Sequence, residues 1–352
     1  MPNNIDRKLA ELLTDANIDS LRYASGQWSD LEYKIRALLK EVRKALINAD
    51  IRTKRDAEKL IREVSKIINQ GYGAISVEQV AALEALVPIA SKSTAAAVNT
   101  AIGAKLLKQP KRIALKAADV LIQGAPSTDW WASQAYTVQK RFAQVVRTGI
   151  ARGLTVEQMA RAVVGRGPSD ESLPGEGVLD VALRDSRSLV HSSVQAVLGA
   201  GRRALYQSNS DIVIGTRQVS TLDSHTTIQC QVRDGLEWTL DGKPVGHKVP
   251  YNGGVPVHWG CRSIESPVLK PIEINGVKLQ GFRGSQRAST DGPVSSDLNF
   301  EQWLEGKSKS FQEEVLGKGR AELWREGKIT FADLLDLRGT PLTLKQLREK
   351  YE

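Results

Sequence analysis

Both cysteines of this chain and three of its four histidines fall between residues 225 and 261. His225 and Cys230 lie in "STLDSHTTIQCQVRDG" (Ser220 to Gly235), His247 follows, and His258 and Cys261 share "PVHWGCRS" (Pro256 to Ser263). Thiolate and imidazole together are zinc-ligand chemistry, and zinc takes about four ligands. Cys230, His258 and Cys261 with one of Asp223, His225 or His247 would supply them, and the set expected here is Cys230, His258, Cys261 and His225. His258-x-x-Cys261 has the short spacing of a ligand knuckle, with Gly260 easing the backbone. The same residues allow three other readings. Both cysteines can be small buried hydrophobes. Cys230, His258 and Asp223 can form a hydrolytic set, although nothing announces the helix N-terminus and oxyanion site that a nucleophilic cysteine needs. Cys230 and Cys261 can pair as a disulfide, which a reducing compartment disfavours.

The neighbouring polar residues read as structural. Asp223 beside Thr226 is an Asx-turn or N-cap arrangement, accepting backbone N–H groups as a strand gives way to a short helix. Asp234-Gly235 is a turn signal, because glycine takes positive φ at low cost. Arg262, next to Cys261, is placed to pair with Asp223 or Asp234 and so to pin two distant segments.

Around this cluster the pattern is mainly helical. From Trp28 the apolar positions Leu31, Ile35, Leu38, Leu39, Val42 and Leu46 form a 3.6-residue stripe. A second stripe, Ala57 to Ile68, is expected to end near Gly71-Tyr72-Gly73, with Ser76 capping a new Ala-rich helix and Gln79 completing the cap. Pro126-Ser127-Thr128-Asp129 opens a helix bearing Trp130, Trp131, Tyr136 and Phe142, and Thr155 with Gln158 caps a short one closed by Gly165. "GRGPSDESLPGEG" (Gly165 to Gly177) reads as a linker before a long helix from Val178 to about Ser208. "DIVIGTRQVS" (Asp211 to Ser220) then turns strand-like, and short strands and turns continue to about residue 285. A polar connector, "SQRASTDGPVSS", leads to a last helical region with Phe300, Trp303, Leu304, Phe311, Val315 and Leu316 on its apolar face. "GKGR" at Gly317 to Arg320 lacks the spacing of a phosphate loop and reads as a turn. The expected fold class is α+β, predominantly helical: a helical body (1–165), a small α+β motif module (178–285) and a helical tail (297–352).

Composition sets outer bounds. At 352 residues, 41% hydrophobic and 25% charged, the chain reads as globular and multi-unit rather than disordered. Its formal charge of +9 favours polyanionic partners. Two cysteines make no disulfide framework, "MPNNIDRKLAELL" lacks an apolar signal core, and no apolar run approaches the ~20 residues of a membrane helix.

"TLDSHTTIQCQVRDGLEW" (Thr221 to Trp238) followed by "PVHWGCRS" resembles the phage Mu protein F-like, minor head protein (head morphogenesis) family. Asp223, Thr226, Cys230, Asp234, Gly235, His258, Cys261 and Arg262 fall on the positions that carry the resemblance. "FEQWL", "FQEEVLGKGRAELW", "GKITFADL" and "TLKQLR" are similar to the tail that often follows the module in these proteins, so the likeness spans roughly residues 180–350. It departs at two positions: His225 stands where the family has Arg, and Ser263 where it has a second Cys. A four-cysteine metal site is therefore unavailable to this chain. The resemblance implies a minor capsid protein in the virion head, assembled in the host cytoplasm without a membrane. Implied partners are portal protein, major capsid or scaffold proteins, and packaged DNA through a basic surface. The implied role is structural rather than catalytic; zinc is the one cofactor that the residues suggest. The competing expectations are a metal- or cysteine-dependent hydrolase or nuclease centred on Asp223, Cys230, His258 and Cys261, and a DNA-binding module in the N-terminal helices.

Overall fold

The computed structural model describes residues 4–111, 113–164, 177–274, 277–279, 286–295 and 297–351. In chain order these form α1 (Asn4–Ile47), α2 (Lys54–Ile102), β1 (Leu121–Ile122), β2 (Ala125–Pro126), α3 (Ser127–Ala151), α4 (Val156–Val163) and α5 (Val178–Ser208). There follow β3 (Val213–Val219), α6 (Ile228–Arg233), β4 (Glu237–Thr239), β5 (Pro244–Val245), β6 (Ile264–Leu269), β7 (Ile272–Ile274), β8 (Val277–Leu279), β9 (Gln286–Ser289) and β10 (Gly292–Ser295). The tail is α7 (Phe300–Glu305), α8 (Lys309–Leu316), α9 (Lys318–Arg325) and α10 (Leu344–Tyr351). The protein is mostly helical (62%), with long N-terminal helices, a central small antiparallel sheet module and short C-terminal helices, as the sequence led us to expect. The linker expected at Gly165 to Gly177 lies, apart from Gly177, outside the described residues.

The chain forms two compact units that do not follow chain order. One comprises residues 22–85 and 116–194; the other comprises residues 1–21, 86–115 and 195–352. The first is helical. Leu31, Ile35, Leu39, Val42 and Leu46 of α1 are buried with Leu60, Ile61, Val64 and Ile68 of α2 and with Trp131, Val138 and Phe142 of α3. Truncating any one of these large side chains to alanine costs about 2–5 kcal/mol, through lost transfer energy and the cavity left behind. The expected helix break at Gly71 to Ser76 does not occur, and α2 is continuous over 49 residues. Gly71 serves approach rather than termination: a Cβ there would lie 2.6 Å from Leu38 Cδ1 and Cδ2. Gln79 is no capping residue either. It is buried, and its Oε1 accepts Ser127 Oγ–H and Trp131 Nε1–H, both at 2.6 Å. The cap expected at Thr155 is present, with Gln158 N–H donating to Thr155 Oγ1 at 3.2 Å and Gln158 Oε1 accepting from Thr155 N–H at 2.8 Å.

Continuity changes the hydropathy of α2. An 18-residue window within it reaches a mean hydropathy of 1.4 with 39% of the window buried, so this one helix is long and apolar enough to span a bilayer by length and composition. That corrects the sequence expectation. Alanines raise the average of the window without forming one unbroken apolar run.

The second unit carries the motif. Its sheet is antiparallel in the order β5-β4-β3-β6. Leu205 and Tyr206 of α5 are buried on it with Val98 and Ile102 of α2, Val213 and Ile264. Arg203 of α5 pairs with the buried Glu265 of β6 at 2.9 Å. The tail helices enclose a second core of Phe300, Trp303, Leu304, Leu316, Leu323, Phe331 and Leu347, which also takes in Trp238 and Leu222. The polar connector at residues 285–296 is in part a hairpin, β9 paired antiparallel with β10. Its loop is Thr290-Asp291, closed by Gly292 at φ +102° paired with Ser289.

Candidate metal centre

Each segment of the motif is held by its own local chemistry. After β3 the chain forms an Asx turn, with Asp223 Oδ1 accepting the His225 N–H at 3.1 Å and the Thr226 hydroxyl at 3.0 Å. The N-cap of α6 is Thr227, not Asp223. Arg262 donates from Nη1 and Nη2 to the two Asp223 oxygens at 2.7 and 2.8 Å. Burial opposes ionisation of Asp223, but this fork, with the Thr226 hydroxyl and the His225 N–H, holds the carboxyl below the usual carboxylate range. Of the two partners open to Arg262 in the sequence, the fold chooses Asp223. Asp234 caps the end of α6, and Gly235 turns the chain back at φ +79°.

These turns bring Cys230, on α6, against the loop between β5 and β6. Cys230 Sγ lies 3.1 Å from His258 Nε2 and 3.6 Å from Cys261 Sγ, and the three donor atoms all lie within 4.8 Å of one another. Both cysteines are free and 2% exposed. Tetrahedral zinc, with Zn–S about 2.3 Å and Zn–N about 2.0 Å, sets its ligand atoms about 3.5–3.8 Å apart; the two sulfurs, at 3.6 Å, match one such edge, and His258 Nε2 lies within 4.8 Å of both. His258 Nδ1 is 2.8 Å from the Trp259 carbonyl; an Nδ1–H donated there leaves the Nε2 lone pair facing the sulfurs. This buried group can hold a metal ion.

The thiols titrate as a pair. The Cys230 hydrogen bond, aided by His258, outweighs burial and puts Cys261 well below the usual thiol value. Cys230 is pushed well above it by the same hydrogen bond and by burial. Burial opposes protonation of His258, but Cys261 more than offsets this and raises its pKa. A cavity of about 20 Å³ adjoins the group, lined among others by His225, Thr227, Cys230, His258 and Ser263. That is room for one water-sized occupant.

The expected ligands therefore divide. Cys230, His258 and Cys261 converge; the exposed His225 lines the same cavity but stands outside the trio. His247 is elsewhere, with Nε2 2.8 Å from the Glu237 carbonyl and Nδ1 accepting from Val249 N–H at 3.2 Å. Asp223 bonds Arg262, Thr226 and the His225 N–H, so it does not orient His258 in the way a hydrolytic set requires.

Two residues missed in the sequence connect these parts. Ser220 donates N–H to Asp234 Oδ1 at 2.7 Å and its hydroxyl to the Cys230 carbonyl at 2.9 Å, and it accepts Ser263 Oγ–H at 2.9 Å. Arg287, on β9, reaches both Asp234 oxygens at 2.8 Å, and also the Ser220 and Leu298 carbonyls. Comparison with known protein families, with curated proteins and with solved structures finds no match for this chain.

Proposed function

We propose that this chain is a structural protein of a bacteriophage head, a minor head protein acting in head morphogenesis. The observation that carries the reading is how the motif residues are employed. Asp223, Thr226 and Arg262 form one clasp, Asp234 with Ser220 and Arg287 a second, and Cys230, His258 and Cys261 a third. Side chains committed to internal bonds suit a module that must hold its shape against partners. The proposed partners are portal protein, major capsid or scaffold proteins, and packaged DNA.

The third clasp is proposed to hold zinc through Cys230, His258 and Cys261, with His225, which lines the adjoining cavity, as the fourth ligand. Bound there, zinc would supply a cross-link between α6 and the β5–β6 loop. Mass spectrometry of purified proheads and particles from producing cells should find the chain alongside portal protein. Its absence from both defeats the head-protein reading. Purified full-length chain should carry about one zinc and lose it in Cys230→Ser and Cys261→Ser. A folded wild-type chain that stays metal-free after reconstitution defeats the zinc assignment alone.

A further inference from the structure

The helical unit contains a cleft of about 990 Å³ whose lining includes Arg36, Leu39, Lys40 and Arg43 of α1, Arg161 and Val164 at the end of α4, and Leu179 and Asp180 at the start of α5. Among the described lining residues, four cations face one carboxylate. Arg36 is paired with Glu32 at 2.6 Å, but Lys40, Arg43 and Arg161 are exposed and have no ion-pair or hydrogen-bond partner among the described residues. Positions 36, 40 and 43 share one face of α1 and cover about 10 Å of it at about 1.5 Å per residue. Like charges held this close repel, so the cleft favours an anion that meets several of them together.

We propose that this cleft binds the sugar–phosphate backbone of duplex DNA without reading its sequence. Three of the four cations are arginines, whose planar fork matches phosphate oxygens in pairs. DNA presents one charge per about 1.7 Å of its axis, so a 10 Å row of cations meets several phosphates at once. A free phosphate would leave most of the row unmatched. The formal charge of +9 gives the whole chain the same preference. The choice of DNA as partner rests on the head-protein reading, whereas the cleft and its unpaired cations do not.

The test uses purified full-length chain and a fluorescent duplex of arbitrary sequence, with anisotropy read at stepped KCl concentrations. Three neutralised phosphates at about 0.9 each predict that Lys40→Gln/Arg43→Gln/Arg161→Gln reduces the log–log salt slope by about 2.7, with at least about tenfold weaker binding at low salt. Lys309→Gln/Lys318→Gln/Lys345→Gln, in the tail, should bind like wild type. Arg43→Lys/Arg161→Lys keeps the charge and should keep the slope, which separates charge from folding. The proposal is overturned if the wild type does not bind, if the cleft variant keeps its slope, or if the tail variant loses as much. A clear preference for single-stranded RNA overturns the choice of duplex. None of these outcomes bears on whether the chain is found in particles.

Discussion

Among single residues, Arg287 and Asp234 carry the clearest energetic consequence. Their side chains are 7% and 0% exposed, and the carboxylate also takes the Ser220 N–H. Removing one member of such a buried pair leaves the other charged and unmatched, so Arg287→Ala should cost about 3–5 kcal/mol in urea unfolding. Asp234→Ala/Arg287→Ala should cost clearly less than the two single changes added together, and additive costs would contradict the clasp. His247 offers a pH signature. Burial, with help from Arg233, holds its pKa below the usual imidazole value despite the Glu237 carbonyl. The unfolded chain therefore takes up this proton first. The contribution of His247 to stability is complete above about pH 6.5 and declines as the pH falls from there toward the folded value. Protonated Nδ1 can no longer accept the Val249 N–H, and the ring packs edge-on against Trp238 at 4.9 Å. An NMR titration should place His247 below a free imidazole, with Trp238 fluorescence changing over the same range. A value at or above the free one would refute this account.

At the scale of elements, periodic stripes were readable and interruptions were misread. The α1 positions picked out by spacing are all buried, because a 3.6-residue stripe has one physical use in a globular helix. The glycines of α2 suggested an end by residue type alone. Whether glycine ends a helix or admits a neighbour depends on what lies beside it, here Leu38 at Gly71. Gly73, exposed and helical with nothing within 4 Å of a built Cβ, makes the continuity testable. Gly73→Ala should raise stability by about 0.5–1 kcal/mol if α2 runs through it, and lower it if the helix stops there. The β9–β10 hairpin is hard to read for a related reason: its strands are largely polar, so alternation carries little signal and only Gly292, after the Thr290-Asp291 loop, marks it.

For the whole molecule, the units cut across the sequence. The long helices α1, α2 and α5 each contribute residues to both. The sheet module and the tail share one unit and one core, with Trp238 and Leu222 buried among tail residues. Replacing tail core residues should therefore disturb the motif as much as the tail itself.

By itself the sequence determined the predominance of helix, the strand-rich middle and the tail, and it offered Cys230, His258 and Cys261 with His225 as one candidate ligand set. Helical periodicity and ligand chemistry are written in residue type and spacing. The tertiary structure alone decided that Arg262 takes Asp223 while Arg287 takes Asp234, that His225 lines the cavity beside the trio, and that cations of α1 and α4 without a partner among the described residues line one cleft. Those outcomes depend on distances between segments tens of residues apart. Many pairings satisfy the same charges, and only packing of the intervening elements selects among them.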